Sequence, residues 1–288
     1  MEEKYRCGYV GLFGRANAGK SSLMNSFLGQ KIAIVSSKPQ TTRDNIMGIY
    51  TTQNNQLVFV DTPGIHRSAN HLDKYMMKNV RAAVEGVDVV LYLIDSSKRI
   101  DEEEKKYIQK LKDEEKNLIT VLTKCDKKQV CDFDADIKVS VGDAKSLDAL
   151  LKLILSKIKP SKQKNFIFEE DELSDKSIKF IVGEYIREAA LLFLSDEIPH
   201  GVAVDITSFD ERNDMIKISA DIICERETHK GIIIGKGGET LRKIGKQARE
   251  EAERLLQTKV FLKLFVKVEK DWRNRPDKFS SLGYWFTH

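Results

Sequence analysis

Gly14-Arg15-Ala16-Asn17-Ala18-Gly19-Lys20-Ser21 decides how the chain is read, because it satisfies every fixed position of the pattern G-x-x-x-x-G-K-[ST]. The apolar run Cys7 to Phe13 precedes it and predicts a buried strand. Leu23, Phe27 and Leu28 follow at helical spacing, so the stretch lies in the order strand, loop, helix. Glycines at 14 and 19 let successive backbone N–H groups turn inward as an anion nest, and the helix start adds about half a positive charge. The stretch therefore predicts a polyphosphate site, with Lys20 reaching the outer phosphates and Ser21 holding Mg²⁺.

Outward from this loop, Lys38 to Asp44 is polar and without periodicity, and reads as an exposed loop whose threonine hydroxyl can ligate the same metal. Asn45 to Thr52 and Gln56 to Val60 read as a hairpin, which delivers Asp61-Thr62-Pro63-Gly64 to a strand end. A carboxylate there can hold Mg²⁺ through water, and the Gly64 N–H can bond a terminal phosphate. Val87 to Asp95 and Leu118 to Leu122 predict buried parallel strands, Asp101 to Glu115 a surface helix, Ile137 to Val141 a last short strand and Ser146 to Ile158 a closing amphipathic helix. Thr123-Lys124-Cys125-Asp126 ends the second buried strand. Asp126 can accept both the ring N–H and the exocyclic amine of guanine, whereas adenine would leave it unpaired. Strands alternating with helices imply a doubly wound, mostly parallel α/β sheet with its ligand at the strands' carboxyl ends.

Composition fits this reading. A chain of 288 residues, 41% hydrophobic and 32% charged, has room for two soluble domains. No apolar run approaches the roughly 20 residues of a membrane span, and the polar start Met1-Glu2-Glu3-Lys4 is unlike a signal peptide. Cysteines at 7, 125, 131 and 224 form no C-x-x-C pair and read as reduced structural thiols. The net charge of +4 is uneven: Glu225 to Arg275 carries 14 Lys/Arg against 8 Asp/Glu, which leaves the rest slightly acidic. A nucleic-acid surface belongs at the basic end.

Lys159 to Asn165, with its proline and polar run, reads as a linker, and Phe166 to Leu173 as a contact segment. Ser174 and Asp175 offer an N-cap to a helix over about 176–193, with Phe180, Ile181, Tyr185, Ala189 and Leu192 near one face. Val202 to Phe209 and Met215 to Cys224 alternate as strands. Gly235-Lys236-Gly237-Gly238 then leads into a helix over 239–256, followed by the alternating strand Lys259 to Lys267. A G-x-x-G loop before a basic helix lets a single-stranded backbone approach, with Lys236 and the helix start attracting phosphate. Arg242, Lys243, Lys246 and Arg249 follow on that helix, and the aromatic tail at Trp272, Phe279, Tyr284, Trp285 and Phe286 reads as packing.

Taken together, G-x-x-x-x-G-K-S, T-T-R-D at 41–44, D-T-P-G and T-K-C-D are similar to the motifs of translation-factor-class GTPases. With the G-x-x-G element, the whole chain resembles the Era family most closely. That resemblance implies an Era-type P-loop GTPase domain over 1–160, a linker over 161–175 and an α+β type II KH domain with its tail over 176–288. It implies that Gly14, Arg15, Ala16, Asn17, Ala18, Gly19, Lys20, Ser21 and Ser22 bind the phosphates of GTP or GDP. Ser21, Thr42 and Asp61 would ligate Mg²⁺, and Asp61, Thr62, Pro63 and Gly64 would sense the γ-phosphate. Thr123, Lys124 and Asp126 would read guanine, with Ser140 and Val141 near its oxygen. Lys20, Thr42 and Gly64 would assist hydrolysis, and Asn17 resembles the asparagine that holds K⁺ in related enzymes. Gly235, Lys236, Gly237, Gly238, Arg242 and Lys243 would bind RNA.

Three positions depart from the family pattern: Thr123 replaces asparagine, Val141 replaces alanine, and Ile65 stands where many GTPases carry a water-orienting glutamine. The implied activity is slow GTP hydrolysis coupled to binding of 16S rRNA near its 3′ end during 30S assembly. The implied protein is a cytoplasmic monomer with peripheral membrane association and no DNA partner. The alternative reading is a constitutive RNA-binding protein with a structural nucleotide site; phosphate release from GTP separates the two. An ATPase is disfavoured by Asp126.

Overall fold

The computed structural model describes residues 4–38, 41–65, 71–114, 117–195, 198, 201–212, 214–275 and 277. Two compact units form: Met1–Ala33, Thr42–His66 and Met76–Asp175 in the first, and Ile34–Thr41, Arg67–Tyr75 and Lys176–His288 in the second. Through the first half run β1 (Arg6–Gly14), α1 (Lys20–Leu28), β2 (Ile46–Thr51), β3 (Asn55–Asp61), α2 (His71–Glu85), β4 (Val89–Asp95), α3 (Glu102–Asp113), β5 (Leu118–Thr123), β6 (Ile137–Lys138) and α4 (Ala144–Lys157).

The sheet of the first unit has the order β2-β3-β1-β4-β5-β6, and only the β2–β3 pair is antiparallel. Strand β4 is apolar throughout Val89–Ile94 and buried over that length, as a central parallel strand covered on both faces must be. Register aligns Leu12 with Asp61, Gly14 with Leu93 and Asp95 with Thr123, so the carboxyl ends of β1, β3, β4 and β5 share one edge of the sheet. The phosphate loop, D-T-P-G and T-K-C-D all leave from that edge.

Helix boundaries follow their caps. Asp101 caps α3 by accepting from the Glu104 N–H at 2.9 Å. Asp143 caps α4 through Lys145 and Ser146, so that helix starts two residues before the expected Ser146. Helix α2 is an element that the sequence reading passed over. Leu72, Met76, Val80 and Ala83 are buried along it, a helical stripe interrupted by polar residues.

Residues 161–175, expected as a linker, run hydrogen-bonded along the sheet. Ser161 pairs with Tyr5, and the Ile49 N–H donates to the Leu173 carbonyl at 3.0 Å. Gln56, fully buried, accepts from the Ile167 and Phe168 N–H groups at 2.8 and 3.0 Å and donates to the Phe168 carbonyl at 2.9 Å. Ser174 and Asp175 do not cap α5: the Ser174 hydroxyl donates to the Met47 carbonyl and Asp175 accepts from the Met47 N–H. The cap is Ser177, which accepts from the Phe180 N–H.

The second unit contains α5 (Ile178–Phe193), β7 (Ala203–Arg212), β8 (Met215–Cys224), α6 (Glu227–Ile234), α7 (Glu239–Leu256) and β9 (Val260–Val268). Its sheet has the order β7-β8-β9, with β7 antiparallel and β9 parallel to β8, so β9 is an edge strand. On α5, Ile181, Tyr185 and Ala189 are buried as expected, but Leu192 is 64% exposed and leaves the predicted stripe. Buried Arg187 is bonded to Glu184 and to the Thr41 carbonyl, and the Val35 N–H donates to Glu188 at 2.8 Å. Trp272 is fully buried and its Nε1–H donates to the Gly201 carbonyl at 2.9 Å, a packing role as predicted. Phe279, Tyr284, Trp285 and Phe286 lie outside the described residues.

All four cysteines are free thiols, and no helix among the described residues is long and apolar enough to cross a membrane.

Candidate nucleotide site and nucleic-acid groove

The phosphate loop is built by backbone conformations that few residues adopt. Gly14 has φ 139° and Gly19 φ 97°, and a Cβ at Gly14 would lie 2.4 Å from the Leu93 carbonyl oxygen. Inside the loop, the buried Lys20 ammonium donates to the carbonyls of Gly14 at 3.2 Å and Arg15 at 3.1 Å. Burial lowers its pKa to about 8, against the opposing pull of Asp61.

The three expected metal ligands converge. Ser21 Oγ donates to Asp61 Oδ2 at 2.6 Å and lies 3.1 Å from Thr42 Oγ1, which is 3.3 Å from the same carboxylate oxygen. Asp61 is fully buried, and burial raises its pKa to about 6 although Lys20 and both hydroxyls pull it down. Its other oxygen, Oδ1, is buried without a hydrogen-bond partner. A hard divalent cation fits this set, since it takes oxygen ligands only and compensates an ionised, desolvated carboxylate.

The D-T-P-G turn is pressed against the loop. The Ile65 N–H donates to the Gly14 carbonyl at 3.2 Å, and the Thr62 hydroxyl donates to the Leu12 carbonyl at 2.7 Å. A Cβ on Gly64 would sit 2.7 Å from Ala16 Cα, so only glycine allows this approach.

At the base-reading end, Thr123 holds the loop despite its short side chain. Its hydroxyl lies 2.7 Å from the Ala18 carbonyl and 3.2 Å from the Ile94 carbonyl. Lys124 has φ 56°, and its ammonium donates to the Asn17 carbonyl and to Asp95 Oδ2 at 2.6 Å. Asp126 accepts from the Ser140 hydroxyl at 2.9 Å, which holds its carboxyl below the usual range. Ser140 thus lies beside Asp126, while Val141 is exposed.

Sequence reasoning missed the supports of this site. Arg15 points away from the loop interior and pairs with Asp101 at 2.6 Å and Glu104 at 3.3 Å; Glu104 also accepts from the Tyr92 hydroxyl. Burial pushes the Glu104 carboxyl up, and Arg15 opposes it. Asp95 was legible as a carboxylate at the end of a predicted central strand, but its pairing with Lys124 needed the strand order.

In the second unit, Gly235, Gly237 and Gly238 all have positive φ, between 59° and 79°. Their roles differ. A Cβ on Gly235 would strike Thr240 at 2.3 Å, whereas Gly237 and Gly238 have nothing within 4 Å and leave the loop open to an approaching backbone. From this loop runs a groove of about 420 Å³ lined by Gly238, Leu241, Arg242, Gly245, Lys246 and Arg249 of the loop and α7, and by Leu262 and Leu264 of β9. Arg242 lines this groove. Lys243 does not line it and instead pairs with Glu239 at 2.8 Å.

A phosphate loop beside the Ser21, Thr42 and Asp61 cluster, with D-T-P-G and T-K-C-D on the same sheet edge, defines a P-loop GTPase fold, and the αββααβ unit with its G-x-x-G loop defines a KH domain. Family models agree: residues 9–124 match the "50S ribosome-binding GTPase" model and residues 197–273 the "KH domain" model. The GTPase Era of Ruminiclostridium cellulolyticum is 44% identical over 97% of this chain and 98% of its own, and that of Alkaliphilus metalliredigens is 41% identical over 97% and 99%. A crystal structure of Era in complex with MgGDPNP and nucleotides 1506–1542 of 16S ribosomal RNA superposes with a TM-score of 0.88 at 32% identity, covering 98% of this chain and 100% of that one. The chain belongs to the Era family of GTPases.

Proposed function

We propose that this protein binds GTP and Mg²⁺ at the loop of residues 14–22 and hydrolyses the nucleotide as a switch. The second unit would bind small-subunit rRNA near its 3′ end during 30S assembly. The observation that carries the reading is the convergence of Ser21, Thr42 and Asp61 around one unpartnered carboxylate oxygen. The RNA part is supported by the groove and by the relative whose structure holds a 16S rRNA segment. Residues 1–160 are assigned to the GTPase domain and 176–288 to the KH domain, with 161–175 between them.

Ser21, Thr42 and Asp61 would hold Mg²⁺, which supplies charge neutralisation at the outer phosphates. Lys20 adds a second positive charge there, and the N–H groups of residues 14–22 orient the phosphate chain. Gly64 contributes a backbone N–H to the γ-phosphate. Asp126 accepts from guanine, with Thr123 and Lys124 fixing the loop beneath it and Ser140 and Val141 at the rim. Ile65 cannot orient water, so turnover is slow. K⁺ held by Asn17 would assist it; equal turnover in K⁺ and Na⁺ buffers overturns that assignment. The protein would act in the cytoplasm as a monomer, with some of it at the membrane surface.

The test is phosphate release from GTP with and without small-subunit rRNA fragments, in the wild type, Asp126→Asn and Lys236→Glu. Gly235→Asp would clash with Thr240, so charge reversal at Lys236 is the cleaner probe of the groove. Asp126→Asn should abolish turnover at micromolar GTP, and Lys236→Glu should remove only the RNA effect. Binding of GTP without phosphate release, even with RNA, would overturn the switch.

A further inference from the structure

Strand β9, which lines the groove through Leu262 and Leu264, carries a second pattern on its reverse side. Lys259, Phe261, Lys263, Phe265 and Lys267 alternate there and all are exposed, the two phenylalanines by 55% and 44%. Register sets Lys217 of β8 beside Phe261 and Ser219 beside Lys263. The Lys263 ammonium lies 4.9 Å from the Phe265 ring centre, and Lys267 is paired with the buried Asp221 at 2.5 Å. Of the carboxylates on this face, Asp205 and Asp210 lie on β7, with β8 between them and β9, while Asp221 of β8 stands beside Phe265 in register and is neutralised by Lys267, so Lys259 and Lys263 carry the positive charge of the sheet's open edge.

Lysines alone would be ordinary protection of an edge strand against pairing. Two exposed phenylalanines on the same edge work against that purpose and call for a ligand. Flat aromatic faces separated by cations suit single-stranded nucleic acid, whose bases stack while its phosphates track the lysines. The groove and this face meet across the open edge of β9, so a strand leaving the groove past Leu262 and Leu264 needs only to turn over that edge. We infer that the outer face of β9 is a second RNA platform, with bases stacked on Phe261 and Phe265 and phosphates beside Lys259 and Lys263. It extends the footprint past the roughly four nucleotides that a G-x-x-G groove holds. The inference rests on the groove itself being an RNA site.

The test measures binding of the full chain, with a GTP analogue and Mg²⁺, to ribo-oligonucleotides of about 5 and about 12 nucleotides that share the same groove sequence. Phe261→Ala/Phe265→Ala should weaken the longer RNA about tenfold or more and leave the shorter within twofold. Lys263→Gln should lower the salt slope for the longer RNA by about one. Unchanged binding of the longer RNA, or equal loss for both lengths, overturns the platform. So does loss of binding to anionic phosphatidylserine vesicles with RNA binding intact, which would give the face to a membrane. Lys236→Glu is the separate control: if it binds both RNAs like the wild type, the groove reading fails, whereas the length dependence of the phenylalanine variant judges the platform. Thermal unfolding of each variant checks that the fold is kept.

Discussion

Two residues in the phosphate loop's neighbourhood hold protonation states that nucleotide binding must use. Lys20, with a pKa lowered to about 8, has to be charged to attract phosphate; Asp61, raised to about 6, has to be ionised to hold a cation. Affinity for GTP with Mg²⁺ should therefore be highest between about pH 6 and 8. It should fall above that window as Lys20 loses its proton, and below it as Asp61 gains one. A fluorescent-nucleotide titration from pH 5 to 9.5 checks this. In Lys20→Arg the alkaline limb should vanish, because a guanidinium stays charged, even though affinity itself drops. Asp126→Asn should cost about a hundredfold in GTP affinity, about 3 kcal/mol, the upper range for a hydrogen bond to a charged group.

The residues proposed to touch ligand were legible because each motif prescribes a side chain at a fixed offset. Their supports were not. Arg15 matched the motif only as a variable position, and its partners, Asp101 at the cap of α3 and Glu104 in its first turn, lie more than 80 residues on. Thr123 shows the reverse limit. It departs from the family's asparagine, yet a hydroxyl at that strand end reaches the Ala18 carbonyl directly.

At the scale of elements, the phosphate loop and the D-T-P-G turn work as one because β1 and β3 are neighbours in the sheet. Gly64 rests on the Ala16 backbone, so Gly64→Ala should force the turn away from the loop. Phosphate-release assays should show at least a tenfold loss of turnover, while GDP affinity, which does not use this turn, stays within a fewfold. The strand-and-helix order was readable from apolar runs, but α2 was not, since lysines and polar residues dilute its stripe. The caps of α5 and the strap at 161–175 were also out of reach. A serine and an aspartate just ahead of a helix look like caps, and only the position of β2 shows that Ser174 and Asp175 bond Met47 instead.

For the molecule as a whole, positive charge is concentrated in the second half, where the groove is lined by Arg242, Lys246 and Arg249. Binding of rRNA should therefore weaken steeply with salt, the logarithmic slope reporting the number of phosphates contacted. If nucleotide state is coupled to RNA binding, RNA affinity measured with a GTP analogue should exceed that with GDP by about fivefold or more, the low end of typical coupling. Equal affinities would make the two units independent.

The strap has a consequence for dissecting the protein. Strand β2 is the outermost strand, and Leu173 to Asp175 supply the hydrogen bonds along its rim. A fragment cut after Pro160 would bare that rim and strip Gln56 of its amide partners. Such a fragment should self-associate on size-exclusion chromatography, whereas one continued to Asp175 should elute as a single copy. The shorter route to a well-behaved catalytic piece is thus closed: the natural stopping point lies not where the last helix of the sheet ends but where its margin is sealed.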